Sequence, residues 1–358
     1  MFMLKKIAFI TISVFITFGL FAQSAPKYSN EFLAIGVGAR ALGMGNSVVS
    51  STNDIYATYW NPSGLLNAKN DVQIGYMHSE YFAGIAKYDY GAASYKIDDR
   101  QVIGLSLIRF GVDNIPNTLE LIDAEGNLRY DRIKSFSVAD YAFLVSYARD
   151  LGIEGLNVGA NVKVVRRIAG EFANAWGFGI DAGATYNYKG WQFGVLARDV
   201  TSTFNAWNFE QGELEEAFEL TGNELPENSL ELTLPKFILA ASKSYTFKEK
   251  FTIMAEANID LTTDGKRNVL VKTDFISMDP HLGIEMDYSK MFFLRGGFIN
   301  LQKELKDDND KEKYTLQPTI GAGLKIKRLS IDYAYTNLGG VSQVPYSHYV
   351  SLSYGFDM

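Results

Sequence analysis

The chain has 358 residues, with 34 basic and 41 acidic side chains for a net charge of −7, and no cysteine. The acidic balance weighs against a nucleic-acid partner held through its phosphates. The absent thiols exclude both a disulfide framework and a lipid anchor on cysteine. Tyr (21), Phe (24) and Gly (32) are abundant, yet beyond the first residues no run approaches the roughly 18 apolar residues of a membrane helix, a composition that points to a β protein.

At the start, "MFMLKK" supplies a basic end with Lys5 and Lys6, and "IAFITISVFITFGLF" is an unbroken apolar run from Ile7 to Phe21. Small residues follow at Ala22 and Ala25, so residues 1–22 read as a secretory signal peptide; the run is short for a membrane anchor. Its removal takes Lys5 and Lys6 and moves the net charge from −7 to about −9. An exported chain without cysteine fits a Gram-negative envelope, with the outer membrane as its destination.

Residues 26–70 come next, rich in Gly and Ala, without clean alternation, and ending in a turn at Asn61-Pro62. From residue 71 the pattern changes. About fourteen period-two segments follow, near 72–79, 85–97, 102–110, 138–148, 156–166, 178–188, 191–199, 237–245, 251–260, 281–288, 291–299, 318–327, 329–336 and 348–356. In "IDAGATYNY", Ile180, Ala182, Ala184, Tyr186 and Tyr188 share one face, with Asp181, Gly183, Thr185 and Asn187 on the other. "HLGIEMDY" likewise sets Leu282, Ile284, Met286 and Tyr288 against His281, Gly283, Glu285 and Asp287. A soluble sandwich would bury the apolar face against a second sheet, whereas a membrane barrel turns it to lipid and ends it in aromatic girdles.

The connections decide between these. Short ones, 98–101, 149–155, 189–190, 246–250, 289–290 and Arg328, alternate with long ones, 111–137, 167–177, 200–236, 261–280, 300–317 and 337–347; only the first hairpin tip, 80–84, is short where a long loop is expected. A sandwich has no reason to sort its connections by parity, while an up-and-down outer-membrane barrel has tight periplasmic turns and long outer loops. The closing "YVSLSYGF" puts Val350, Leu352, Tyr354 and Phe356 on one face, a terminal strand of the kind that barrel-assembly machinery takes as a signal. The expectation is an all-β, transmembrane, up-and-down antiparallel barrel of about 14 strands over residues 71–358. Residues 26–70 are expected to form a plug in its lumen, because a barrel of this size is too wide for its own side chains to fill.

Within that segment, "GARALGMGNSVVSSTNDIYATYWNPSGL" resembles the N-terminal region of the FadL-like outer-membrane proteins. It is most similar to the PorV/PorQ branch, found in the type IX secretion system of Bacteroidota. Gly43, Gly45, the Asn53-Asp54 step, Trp60, Asn61, Pro62 and Gly64 carry the match, and "FGVDNIPNT" from Phe110 to Thr118 is a second shared element. Two departures stand out. Asn61-Pro62-Ser63 replaces the Asn-Pro-Ala of FadL itself, and Val37-Gly38-Ala39-Arg40 replaces the Pro-Asp-x-Arg of the secretion shuttle. The resemblance implies a fourteen-stranded barrel with an N-terminal plug and one of two roles: docking of secreted cargo domains or secretion partners, or passage of hydrophobic compounds through the plug and a lateral opening.

No enzyme pattern competes. His78, His281 and His348 fall on different strands, no serine sits in a nucleophile elbow, and "GVGAR" with "GMG" breaks the nucleotide-loop spacing. No cofactor is expected. The acidic stretch around Glu213, Glu215, Glu216, Phe218 and Glu219 lies in the longest outer loop and is the candidate partner-binding surface. "LKDDNDKEK" brings Asp307, Asp308 and Asp310 together but lacks the glycine and the bidentate glutamate of a calcium loop, so no metal is assigned. Lys163, Glu256, Glu285, Asp287, Arg295 and Asp332 face inward, more as ion-pair bracing of the wall than as a selectivity device. A polar, charged inner face without a greasy cluster favours docking over transport; the partners are then outer-membrane lipid, secretion-system proteins or cargo, and the assembly machinery.

Overall fold

The structure is a computed structural model that describes residues 29–123, 126–210, 227–265, 267, 269–305, 312–337 and 346–358. The expected signal peptide, the loop residues Glu213–Glu219 and the acids Asp307, Asp308 and Asp310 lie outside the described residues.

Alternation builds the wall. In β3 (Gln101–Asn117), Ile103, Leu105 and Leu107 point outward at 41, 61 and 39% exposure, while Val102, Ser106 and Ile108 are buried. The same rule shapes β1 (Val72–Tyr81), β2 (Ala86–Asp98), β4 (Lys134–Asp150), β5 (Leu156–Ala169) and β6 (Ala173–Tyr188). Two wall strands are interrupted. β7 (Trp191–Arg198) and β8 (Thr203–Phe209) both pair with β6 and form one stave broken at 199–202. β9 (Ser229–Thr233) and β10 (Lys236–Phe247) form the next, broken at Leu234-Pro235. The rest are β11 (Phe251–Thr262), β13 (Ser277–Tyr288), β14 (Phe292–Leu305), β15 (Glu312–Ile326), β16 (Leu329–Asn337) and β17 (Tyr346–Phe356). A two-residue β12 (Val271–Lys272) only extends β13.

Every pairing is antiparallel, and β1 pairs with β17 from Val72↔Phe356 to Glu80↔His348. Counted as staves, this is a closed fourteen-stranded antiparallel barrel. Closure removes both sheet edges, which is the condition for a sheet to sit in hydrocarbon. The outer face carries Leu105, Val145, Leu239, Ile284 and Leu352 in one belt, far larger than the apolar patches a water-exposed surface tolerates. Stacked ring pairs, Tyr186–Tyr188 and Trp191–Phe193, rim it at the short-turn end.

Two expectations need correction. Residues 167–177 form no long loop: β5 runs to Ala169 and β6 begins at Ala173, joined by a tight turn with Gly170 at φ 58°. The 300–317 stretch is likewise mostly strand, up to Leu305 and again from Glu312. Above the apolar belt both faces meet water, so period-two hydropathy vanishes while the backbone ladder continues. "FGVDNIPNT" falls in the same zone, on the outer half of β3, where the register slips between Val112 and Ile115 and Asn114 takes φ 60°.

Residues 29–70 lie inside the barrel, in short helical turns: Glu31–Ala34, Ala39–Gly43, Ala57–Trp60 and Pro62–Asn67. Asn61 starts the last of these, accepting from the Ser63 amide and hydroxyl at 3.3 and 2.8 Å, with Pro62 at the first helical position. The inner face is also not purely polar. Leu42, Met44, Tyr59 and Trp60 of the segment pack with Tyr88, Tyr90, Ile108 and Leu196 of the wall in one buried cluster. The inward apolar residues sit beside outward ones, as in Leu107-Ile108 and Val195-Leu196, where alternation assigns no face.

Candidate functional site

The interior segment touches opposite sides of the wall, and glycines make both contacts close. Gly43 lies against β15, where an added Cβ would stand 3.0 Å from the Gly321 Cα; one on Gly45 would stand 2.8 Å from the Phe298 carbonyl oxygen on β14. Across the lumen, Asn61 Nδ2 donates to the Ala184 carbonyl on β6 at 3.2 Å and to Val49 within the segment at 3.0 Å. Wall glycines accept the segment in turn: a Cβ on Gly183 would meet Asn61 Oδ1 at 2.2 Å, and one on Gly159 would meet the Ser63 amide at 2.5 Å beside Pro62. Trp60 holds the segment to itself, its indole N–H donating to the Val37 carbonyl at 2.7 Å, and Gly64 packs on Thr52. Gly43 and Gly45 therefore form one contact, Asn61 and Pro62 another, rather than a single site.

Charged side chains fix the segment between these contacts. Glu256 on β11 accepts from the backbone amides of Ser50 and Ser51 at 2.8 and 3.1 Å, and the Ser50 hydroxyl donates to Ser242 on β10 at 2.9 Å. Arg40 pairs with Glu285 at 2.9 Å, and Glu285 is shared with Arg295, which reaches Asp332 at 2.7 Å. Burial works against the Arg40 charge, but Glu285 outweighs it and keeps the guanidinium ionised. Burial also raises the Asp54 carboxyl above its ordinary range, with Arg40 pulling it back. A separate cluster on the opposite wall sets Lys163 between Asp181 at 2.9 Å and Asp199 at 2.6 Å.

Two cavities flank the segment. A small one of about 70 Å³ lies at the long-loop end, lined by Leu33, Tyr59, Lys163, Arg198, Asp199 and Lys236. Arg198 stacks there over Tyr59 at 4.2 Å and Trp60 at 5.6 Å. The larger one, about 710 Å³, opens at the short-turn end and reaches in to Arg40, Glu285 and Arg295. Residues 29–70 stand between the two. Arg198 and Asp199 escaped the sequence reading, which places Asp181 only on the polar face of its strand. His78 contacts Asp89 at 2.7 Å on the outer half of β1, and His281 contacts the Gly45 carbonyl at 3.2 Å, so these two histidines share no site. Among the described residues no group of His, Cys, Asp or Glu is arranged to hold a metal.

No known protein family and no curated protein matches the chain. Solved structures do. The Pseudomonas putida toluene transporter TodX aligns with a TM-score of 0.55 at 13% identity, covering 90% of this chain and 98% of that one. The Ralstonia pickettii toluene transporter TbuX aligns at 0.50 and 13%, over 90% and 98%. A Pseudomonas aeruginosa FadL homologue gives 0.50 and 13%, over 89% and 98%. The likeness to these barrels is one of fold.

Proposed function

We propose that this chain is an outer-membrane channel for small hydrophobic compounds, closed by its N-terminal segment acting as a plug. The observation that carries the reading is the segment itself, which separates a cavity at each end of the lumen and does so with an aromatic, apolar core rather than a polar one. Transporters of toluene among the structural neighbours support it, as does the apolar outer belt. The segment is held by hydrogen bonds and ion pairs that are individually modest, so a state in which it shifts is within reach of substrate binding. Signal-peptide export to a Gram-negative envelope belongs to the same proposal. Membership of the PorV/PorQ branch and docking of type IX secretion cargo is the other role that the sequence resemblance implies. Its candidate surface lies in the outer loop beyond Glu210, outside the described residues, and the apolar interior favours transport.

The chain has no cysteine, so a lock is easily installed. Ser50→Cys with Ser242→Cys, whose hydroxyls lie 2.9 Å apart, places a disulfide between segment and wall. Toluene entry through a lipopolysaccharide-bearing membrane is expected to stop on oxidation and return on reduction. Equal entry in both states refutes a moving plug, and no entry above a protein-free control refutes transport.

A further inference from the structure

The chamber at the short-turn end has a charge that the chain as a whole does not. Its lining holds seven basic side chains against four carboxylates, in a protein whose net charge is −7. The carboxylates are already engaged. Glu285 and Asp332 are taken by Arg40 and Arg295, and Asp287 accepts from the Lys290 backbone amide at 2.9 Å. Asp54 accepts from the Tyr56 amide at 3.0 Å. Lys69, Lys290, Lys325 and Lys327 line the mouth, and among the described residues none of them is in an ion pair. They come from three different elements: the interior segment, the β13–β14 turn, and β15 with its following turn.

Like charges held at one mouth cost free energy unless something negative relieves them, and a concave low-dielectric wall concentrates their field. Between the lysines the wall turns apolar, with Met254, Met291 and Phe293 also lining the chamber. A volume of about 710 Å³ with mixed lining is the size of an ordinary small-molecule site. We infer that this chamber is a binding site for a small organic anion, its charge held by Lys69, Lys325 and Lys327 and its apolar part by Phe293 and Met254. The site stands whether or not the segment moves, so it goes beyond the transport proposal. A bound anion would also tie the interior segment to the wall through Lys69.

The test uses the full-length protein in zwitterionic lipid nanodiscs and the trianionic dye 8-aminopyrene-1,3,6-trisulfonate, read by fluorescence anisotropy against empty nanodiscs. Saturable binding that weakens with added salt is expected. Lys69→Gln with Lys325→Gln should weaken it about tenfold, Lys325→Arg should retain it, and Lys248→Gln, on an exposed turn outside the chamber, should leave it unchanged. Benzenesulfonate should displace the dye at lower concentration than inorganic phosphate. Absence of saturable binding, or equal loss with Lys248→Gln, overturns the site. Phosphate competing as well as benzenesulfonate overturns its preference for an organic anion.

Discussion

Glu256 holds two consecutive backbone amides of the interior segment with one carboxyl group, and it is fully buried. Truncation to alanine would leave the Ser50 and Ser51 amides without their partner in a space closed to water, at a cost of about 1–3 kcal/mol each. Glu256→Ala is therefore expected to loosen the segment while the wall stays folded. Limited proteolysis should release peptides from residues 29–70 faster, with the barrel still resistant to unfolding in detergent. If the segment is cut no faster than in the parent, Glu256 is not its clamp. Sequence alone placed Glu256 on the inward face, because Ile253 and Ala255 alternate with it. It gave no hint of the clamp, because the partners are main-chain groups some two hundred positions away and main-chain groups carry no sequence signature. Arg40 shows the same limit: its neighbours in "GVGAR" say nothing of Glu285, which arrives from the far end of the chain.

At the scale of the element, wall glycines mark where the segment lies. A Cβ on Gly283 would stand 2.4 Å from the Met44 carbonyl oxygen, a distance no repacking of a flexible side chain relieves, since the obstacle is backbone. Gly91 faces open space, with nothing within 4 Å. Gly283→Ala should therefore displace the segment and open the lumen to small solutes, whereas Gly91→Ala should be silent. Single-channel conductance in planar bilayers distinguishes them; equal, low conductance from both would remove the close-packing account. All fourteen wall strands were legible from alternation, and their ends near the short turns fell within a few residues, because there one face is the apolar outer belt and the other the lumen. The outer ends were not. β5 and β6 run on past the apolar belt with Arg166 and Arg167 on opposite faces, β14 and β15 also continue as strand, and pairing there is sustained by backbone bonds that hydropathy does not register. Inward aromatics were missed for a related reason: Tyr88 and Tyr90 alternate with Asp89 and Gly91, which makes the buried face of β2 look like the lipid face.

For the whole molecule the deciding quantity is which solvent covers the outer belt. Leu105 stands at 61% exposure in the middle of β3, paired across to Ala93 and Val145. Leu105→Arg should cost roughly 2–4 kcal/mol if hydrocarbon lies against it, and close to nothing if water does. Reversible unfolding from phospholipid vesicles in denaturant reads that difference directly. A stability unchanged within error would mean that the belt is not embedded.

The closing seam between β1 and β17 joins residues that are 284 positions apart in Val72↔Phe356. Tyr56 straddles it: its hydroxyl lies 3.0 Å from the Tyr76 carbonyl on one side and 2.9 Å from the Leu352 carbonyl on the other. Those two wall residues face each other in the register of the seam. The N-terminal segment thus bonds to both strands of the closing seam. A finished cylinder would admit that stretch only through its ends, so the expected order of assembly puts the segment in place before the seam closes. On that expectation the sheet closes around the inner piece, with Tyr56 bonded to both strands as the clasp.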